Sequence, residues 1–189
     1  MKLLEDKILK EGRILSGDIL KVDNFLNHQV DPELMMEMGR DFYEHFKEKK
    51  INKILTLEVS GISMALTAAL AFGVPMVFAK KIESKTLVGD MWEASVHSFT
   101  KNKDYTIRVS KKYLNEGDRV LIIDDFLAKG QALSGLKNLC DQAGATVCGM
   151  GIAIEKSFQK GGEIFRKQGI DLYSQAKIKE FRDGKVVFE

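Results

Sequence analysis

Short runs dominated by apolar residues at 54–57, 76–79, 120–124 and 147–154 punctuate this chain. Runs of this length, rich in Val, Ile and Leu, predict strands buried on both faces of a parallel sheet. Between the first two, residues 62–72 form an apolar helix closed by Gly73 and Pro75. After the third, Leu133, Leu136, Leu139, Cys140 and Ala143 recur at helical spacing until Gly144 stops them. Leu34, Met35, Met38, Phe42 and Phe46 line one face of another helix, started by Asp31 as cap and Pro32 in the first position. A methionine and aromatic stripe at that spacing is core. Strands separated by helices predict an α/β protein with a doubly wound, mainly parallel sheet and flanking helices.

The remaining segments are less regular. Leu3, Leu4, Ile8 and Leu9 predict a short helix ending near Gly12, and residues 14–22 contain a strand. Residues 25–30 form a loop whose Phe25, Asn27, His28 and Gln29 could touch a ligand. Residues 82–105 turn polar, with Gly89, Trp92, His97 and an Asn-Lys-Asp turn, and predict two antiparallel strands on a flexible arm. Gly161 and Gly162 open a short helix to Lys167, and residues 178–181 and 186–188 flank Asp183-Gly184 as a terminal hairpin.

Composition narrows the classes. The 189 residues suit one domain. A net charge of +2 gives no bulk attraction to nucleic acid, so that partner is unlikely on charge. No apolar run approaches the ~20 residues of a membrane span, so no membrane partner is expected. The first residues, Met-Lys-Leu-Leu-Glu-Asp-Lys, carry acids where a secretory leader needs an apolar core. Cys140 and Cys148 lie in apolar elements, too few for a disulfide scaffold or a zinc site. They read as core thiols of a cytoplasmic protein. The dispersed His28, His45 and His97 have no metal-ligand spacing, and no metal-ligating residues are assigned.

The chemistry concentrates in residues 120–132, Val-Leu-Ile-Ile-Asp-Asp-Phe-Leu-Ala-Lys-Gly-Gln-Ala. Asp124 and Asp125 end the apolar run, and unpaired carboxylates inside an apolar sheet are costly, so both are expected to emerge from it. The small residues that follow let backbone amides approach a ligand, and a helix N-terminus suits a phosphate. Carboxylates accept hydrogen bonds from hydroxyls. A phosphate beside a diol describes a ribose 5-phosphate. The strand–GxxxxGK[ST] loop and GxGxxG are absent, which argues against a triphosphatase or a dinucleotide enzyme. Residues 58–61, Lys80-Lys81, 124–131 and Lys156 all fall at predicted carboxyl ends of strands, where such sheets bind ligands.

Apolar strand, acidic pair and small Gly-Gln loop together resemble the ribose-phosphate signature of the type I phosphoribosyltransferases. The resemblance implies that family's fold, with a small hood from about residues 1–30 and 156–189 and the flexible arm at about 82–105. It implies Asp124 and Asp125 as catalytic residues at the ribose hydroxyls. It implies Ala128, Lys129, Gly130, Gln131 and Ala132 at the 5-phosphate, and Ser60, Gly61 and Lys81 at the diphosphate; Ser60 stands where adenine-specific members carry Arg. Residues 20–29, with Glu-Lys-Ser-Phe at 155–158, are similar to the xanthine-using members. From these Leu20, Asn27 and Lys156 are implied as nucleobase contacts. The implied substrates are phosphoribosyl diphosphate and a purine, with Mg²⁺ carried mainly by the diphosphate, in a homodimer. The competing readings are a regulator of the same fold that senses phosphoribosyl diphosphate and binds nucleic acid, or an enzyme acting on guanine or hypoxanthine.

Overall fold

The computed structural model describes residues 1–15, 18–81, 89–98 and 103–189. In chain order these form α1 (Lys2–Glu11), β1 (Arg13–Leu15), β2 (Ile19–Lys21), α2 (Pro32–Phe46), β3 (Lys53–Leu57), α3 (Ile62–Phe72), β4 (Met76–Ala79), β5 (Met91–Ser98), β6 (Lys103–Ser110), β7 (Arg119–Leu127), α4 (Gln131–Ala143), β8 (Thr146–Lys156), α5 (Gly161–Lys167), β9 (Leu172–Arg182) and β10 (Lys185–Phe188). Strands β10-β9-β8-β7-β3-β4 make one sheet. All its pairings are parallel except β9 with β10.

The alternation along β7 shows why the sheet needs helices on both sides. Leu121 and Ile123 join a core with α1, α2 and α3, while Val120 and Ile122 join a second core with α4. All four are fully buried, so neither face could be left to water. On α2, Asp31 accepts from the Leu34 amide at 3.1 Å, as its capping position requires. Gly39 lets α2 meet α3: a Cβ there would stand 2.6 Å from the Thr67 carbonyl. Truncating a buried leucine such as Leu136 to alanine would cost about 2–5 kcal/mol.

Three expectations change. The C-terminal segment assigned to a hood is in part sheet: β9 begins at Leu172, and six of its residues, from Leu172 to Ile178 where the terminal hairpin starts, pair in parallel with β8. Residues 25–30 are not simply a loop, because a helical turn over Asp23–Asn27 buries Phe25. The described strands of the 82–105 arm pair antiparallel as expected and continue to Ser110. Their inner face is packed on α4: Val96 and Ile107 are 2% and 0% exposed, against a Gly135 with no room for a Cβ. Residues 82–88 and 99–102 of that arm lie outside the described residues. No described helix is long and apolar enough to cross a membrane.

Candidate active site

Strands β3 and β7 pair only as far as Leu55 and Ile122. From there β3 runs into the turn at 58–61 and back towards β4, while β7 leads to β8 on the other side. This is the topological switch point, where an open parallel sheet offers a crevice to ligands. Gly61 lines it. A Cβ on Gly61 would stand 2.1 Å from Thr56 Oγ1 and 3.3 Å from Asp124 Oδ1, so the turn approaches this closely only without a side chain. Ser60 sits half-buried in the same turn. The Lys81 amide donates to Glu58 Oε1 at 2.6 Å, which ties the end of β4 to the turn. Its ammonium lies 5.5 Å from the Tyr105 ring centre.

The two carboxylates occupy different surroundings. Asp124 is 6% exposed and stays in the ladder opposite Ile152. Its Oδ1 accepts from the Asp125 amide at 3.0 Å. Burial, then the neighbouring Asp125 charge, pushes its carboxyl well above the usual range, and the Lys81 cation opposes this only in part. The expectation that both acids leave the sheet is therefore corrected: β7 continues to Leu127, and only Asp125 is half exposed. A raised proton affinity and a backbone bond make the buried position of Asp124 tolerable. Asp125 Oδ1 accepts from the Phe126 amide at 2.9 Å, and its Oδ2 accepts from Asn27 Nδ2 at 3.2 Å.

Beyond them, Gly130 takes φ +81° and α4 starts with no side-chain cap. Its first amides are thus available to an anion. A cleft of about 420 Å³ opens over residues 126–133, walled by Lys156 and Gln159, by Asp18 and Ile19, and by Val96, His97 and Tyr105 of the β5–β6 hairpin. Ala128, Lys129, Gly130, Gln131, Ala132 and Lys156 thus share one cleft, while Ser60, Gly61, Lys81, Asp124, Asp125 and Asn27 gather around the crevice beside it. Lys156 Nζ donates to the Asp18 carbonyl at 2.7 Å and lies 5.7 Å from the Phe126 ring centre. Burial holds its ammonium below the ordinary lysine range. Leu20 is not brought to the cleft wall: it is 6% exposed within the core, and its neighbour Ile19 lines the cleft.

Sequence reasoning missed several members. Tyr105 lies close enough to Asp124 for burial and that carboxylate to push its phenol up. Its signal was one aromatic in a polar stretch. Thr56 Oγ1 is buried with no hydrogen-bond partner among the described residues, and it hid inside a strand run. Gly161 donates its amide to the Ala128 carbonyl at 3.0 Å and so braces the loop from behind. His45, read as structural, stacks on Tyr173 and bonds Asp171 at 3.0 Å, away from the site.

Residues 22–186 match the phosphoribosyl transferase domain family. A protein named xanthine phosphoribosyltransferase from Finegoldia magna is 56% identical over 189 residues, covering 100% of both chains. One of the same name from Latilactobacillus sakei is 56% identical, covering 100% of this chain and 96% of its own. Among solved structures, the adenine phosphoribosyltransferase of Giardia lamblia in complex with 9-deazaadenine aligns with TM-score 0.78 at 22% identity, over 94% of this chain and 98% of that one. The adenine phosphoribosyltransferase of Rhodothermus marinus aligns with TM-score 0.74 at 21% identity, over 94% and 100%. At those identities the likeness is one of fold.

Proposed function

The chain belongs to the phosphoribosyltransferase family and has its fold, and from that premise we propose that it transfers a 5-phosphoribosyl group from phosphoribosyl diphosphate to xanthine, giving xanthosine 5′-monophosphate and diphosphate. The observation that carries this reading is the acidic pair near the carboxyl end of β7, followed across a short glycine loop by an uncapped helix start at the switch point. A purine nitrogen forms its bond to the anomeric carbon as the bond to the diphosphate oxygen breaks, and that electron pair leaves on diphosphate. The base releases its proton. The transition state resembles an oxocarbenium ion, as in other glycosyl transfers.

Each group has a part in this scheme. Asp125 and Asp124 face the ribose hydroxyls, and the half-exposed Asp125 opposes the positive charge that develops on the sugar. The backbone of Ala128, Lys129, Gly130, Gln131 and Ala132 receives the 5-phosphate. Ser60 and Gly61, through their amides, and Lys81 receive the diphosphate. Asn27 and Lys156 read the base, with Leu20 packed behind Ile19. Xanthine presents carbonyl oxygens, which suit a lysine ammonium. Among the described residues no cluster of three metal-ligating side chains occurs, and two adjacent carboxylates fit an ion brought in by the substrate. Mg²⁺ favours phosphate oxygens and retains waters. Bound with the diphosphate, it would supply charge neutralisation at the leaving group, and Asp124 and Asp125 are the side chains that would share it.

Pairing of two copies is supported by the apolar face of α3, where Leu66 and Leu70 are 49% and 63% exposed. A cytoplasmic setting is supported by two free thiols. The deciding experiment incubates the protein with phosphoribosyl diphosphate, Mg²⁺ and each of xanthine, guanine, hypoxanthine and adenine, and follows diphosphate release. Release is expected with xanthine above the others. Binding of phosphoribosyl diphosphate without release for any base would mark a sensor, and a preference for guanine or hypoxanthine would reassign the acceptor.

A further inference from the structure

Behind the loop at 128–130 stands α5, to which the reading above gives no part. Its first amide, on Gly161, holds the Ala128 carbonyl at 3.0 Å. A Cβ on Gly161 would lie 2.2 Å from that oxygen and 2.7 Å from the Lys129 carbonyl carbon, so bare backbone is what lets helix and loop touch. One turn on, Phe165 is 1% exposed and covers Gly130. The other anchor of α5 is ionic. Arg166 lays its fork on Glu155, Nη1 to Oε1 at 2.7 Å and Nη2 to Oε2 at 2.6 Å. Glu155 is 1% exposed on β8, beside Lys156, and also accepts from the Ser174 hydroxyl on β9. Gly162 makes the room, since a Cβ there would stand 2.1 Å from Glu155 Oε1.

The pair is half-buried, with the Arg166 side chain 34% exposed over a Glu155 side chain that is 2% exposed, and it adds little net stability, because desolvation and solvent screening offset most of the attraction. Its two parallel bonds nevertheless fix an orientation, which apolar packing does less sharply. We propose that the fork between Arg166 and Glu155 positions the phosphate-binding loop. It sets where α5 stands, and α5 sets the Ala128 carbonyl through Gly161 and the Gly130 backbone through Phe165. Arg166 and Glu155 are positioning residues; they reach the 5-phosphate only through that helix. The inference rests on the reading that residues 128–132 take the 5-phosphate. Without the fork the loop amides lose their aim, while the turn at 58–61 and Lys81, on the far side of the crevice, keep theirs.

The test titrates ribose 5-phosphate, and separately Mg²⁺-diphosphate, onto the wild type, Arg166→Met and Arg166→Lys by calorimetry, with the melting temperature of each recorded. Arg166→Met is expected to bind ribose 5-phosphate about ten- to a hundredfold more weakly, the range that a misplaced contact commands. Arg166→Lys, which keeps the charge but loses the planar fork, falls between it and the wild type. Diphosphate affinity stays within about twofold, and in steady state KM for phosphoribosyl diphosphate rises while kcat holds within about threefold. Should Arg166→Met not fold, the charge-free Glu155→Gln/Arg166→Met pair replaces it and must show the same selective loss. Unchanged ribose 5-phosphate affinity in the folded variants, with or without a lower melting temperature, overturns the positioning role and leaves the phosphate-loop reading standing. A wild type that binds no ribose 5-phosphate overturns that reading and the inference with it.

Discussion

Asn27 Nδ2 donates to Asp125 Oδ2 at 3.2 Å, joining residues 98 positions apart. The bond ties the N-terminal segment proposed to read the base to the carboxylate proposed to face the ribose. Asn27→Asp would set one carboxylate against another, and like charges at that distance do not both ionise readily. At about pH 8 kcat/KM should fall roughly ten- to a hundredfold, the worth of a charge-assisted bond. Acidification protonates one of the pair and restores a donor. The ratio of mutant to wild-type kcat/KM should therefore climb as the pH falls. A flat ratio would show that the bond does not matter to turnover.

The acidic pair should separate stability from catalysis. The folded-state pKa of Asp124 lies well above its ordinary value, chiefly from burial and then from Asp125. Well below the ordinary carboxylate range both folded and unfolded chains hold the proton, and Asp124 has no effect on stability. As pH rises past that range the unfolded chain releases its proton first, so the folded state is progressively disfavoured. Asp124→Asn removes this penalty and should raise Tm at neutral pH more than at about pH 4. Asp125→Asn should lower kcat about a hundredfold, with a smaller change in affinity for phosphoribosyl diphosphate. Thermal melts across pH and steady-state kinetics check the two halves. Wild-type kcat in Asp125→Asn would remove its catalytic assignment.

Gly130 is constrained from behind. At φ +81° a side chain is strained, and a Cβ would meet Phe165 Cε2 at 2.9 Å and the Gly161 carbonyl at 3.3 Å rather than fill the cleft. Gly130→Ala should cost about 1–2 kcal/mol in backbone strain alone. It should also weaken ribose 5-phosphate binding. Phe165→Leu makes space, so the double variant should lose less stability than the sum of the two single changes. Strict additivity in denaturant melts would show that the two residues do not press on each other.

Lys156 Nζ spends one of its three donors on the Asp18 carbonyl, 2.7 Å away, which leaves the others for the proposed contact to a base. Lys156→Met keeps most of the stem and deletes the ammonium. It should lower kcat/KM for xanthine by about ten- to a hundredfold and narrow the gap to hypoxanthine. The xanthine-to-hypoxanthine ratio, measured in both proteins, is the readout; if it does not move, the base is read elsewhere.

Much of this could be read from the chain because it is local. Four apolar runs and the Leu34–Phe46 stripe declare themselves by periodicity, and each became the expected strand or helix. The segment at 120–132 holds strand, acids, glycine loop and helix start in one continuous stretch, so its order needed no tertiary information. What failed to show is whatever depends on a distant partner. The first half of β9 reads as polar because Ser174 and Gln175 interrupt it. Folded, the Ser174 hydroxyl is bonded to Glu155 and the Gln175 Nε2 to the Met38 carbonyl and Asp41, which offsets much of the cost of burying them. The arm looked loosely patterned because the surface that covers Val96 and Ile107 lies on α4, at Gly135. Asp124 was expected in the open because its tolerance of burial comes from a neighbouring amide and a raised proton affinity, neither of which a residue string displays. The bond from Asn27 to Asp125 and the fork from Arg166 to Glu155 likewise exist only once the strands are laid side by side. Periodicity fixes which face of an element is buried; only packing decides which polar group waits on the other side.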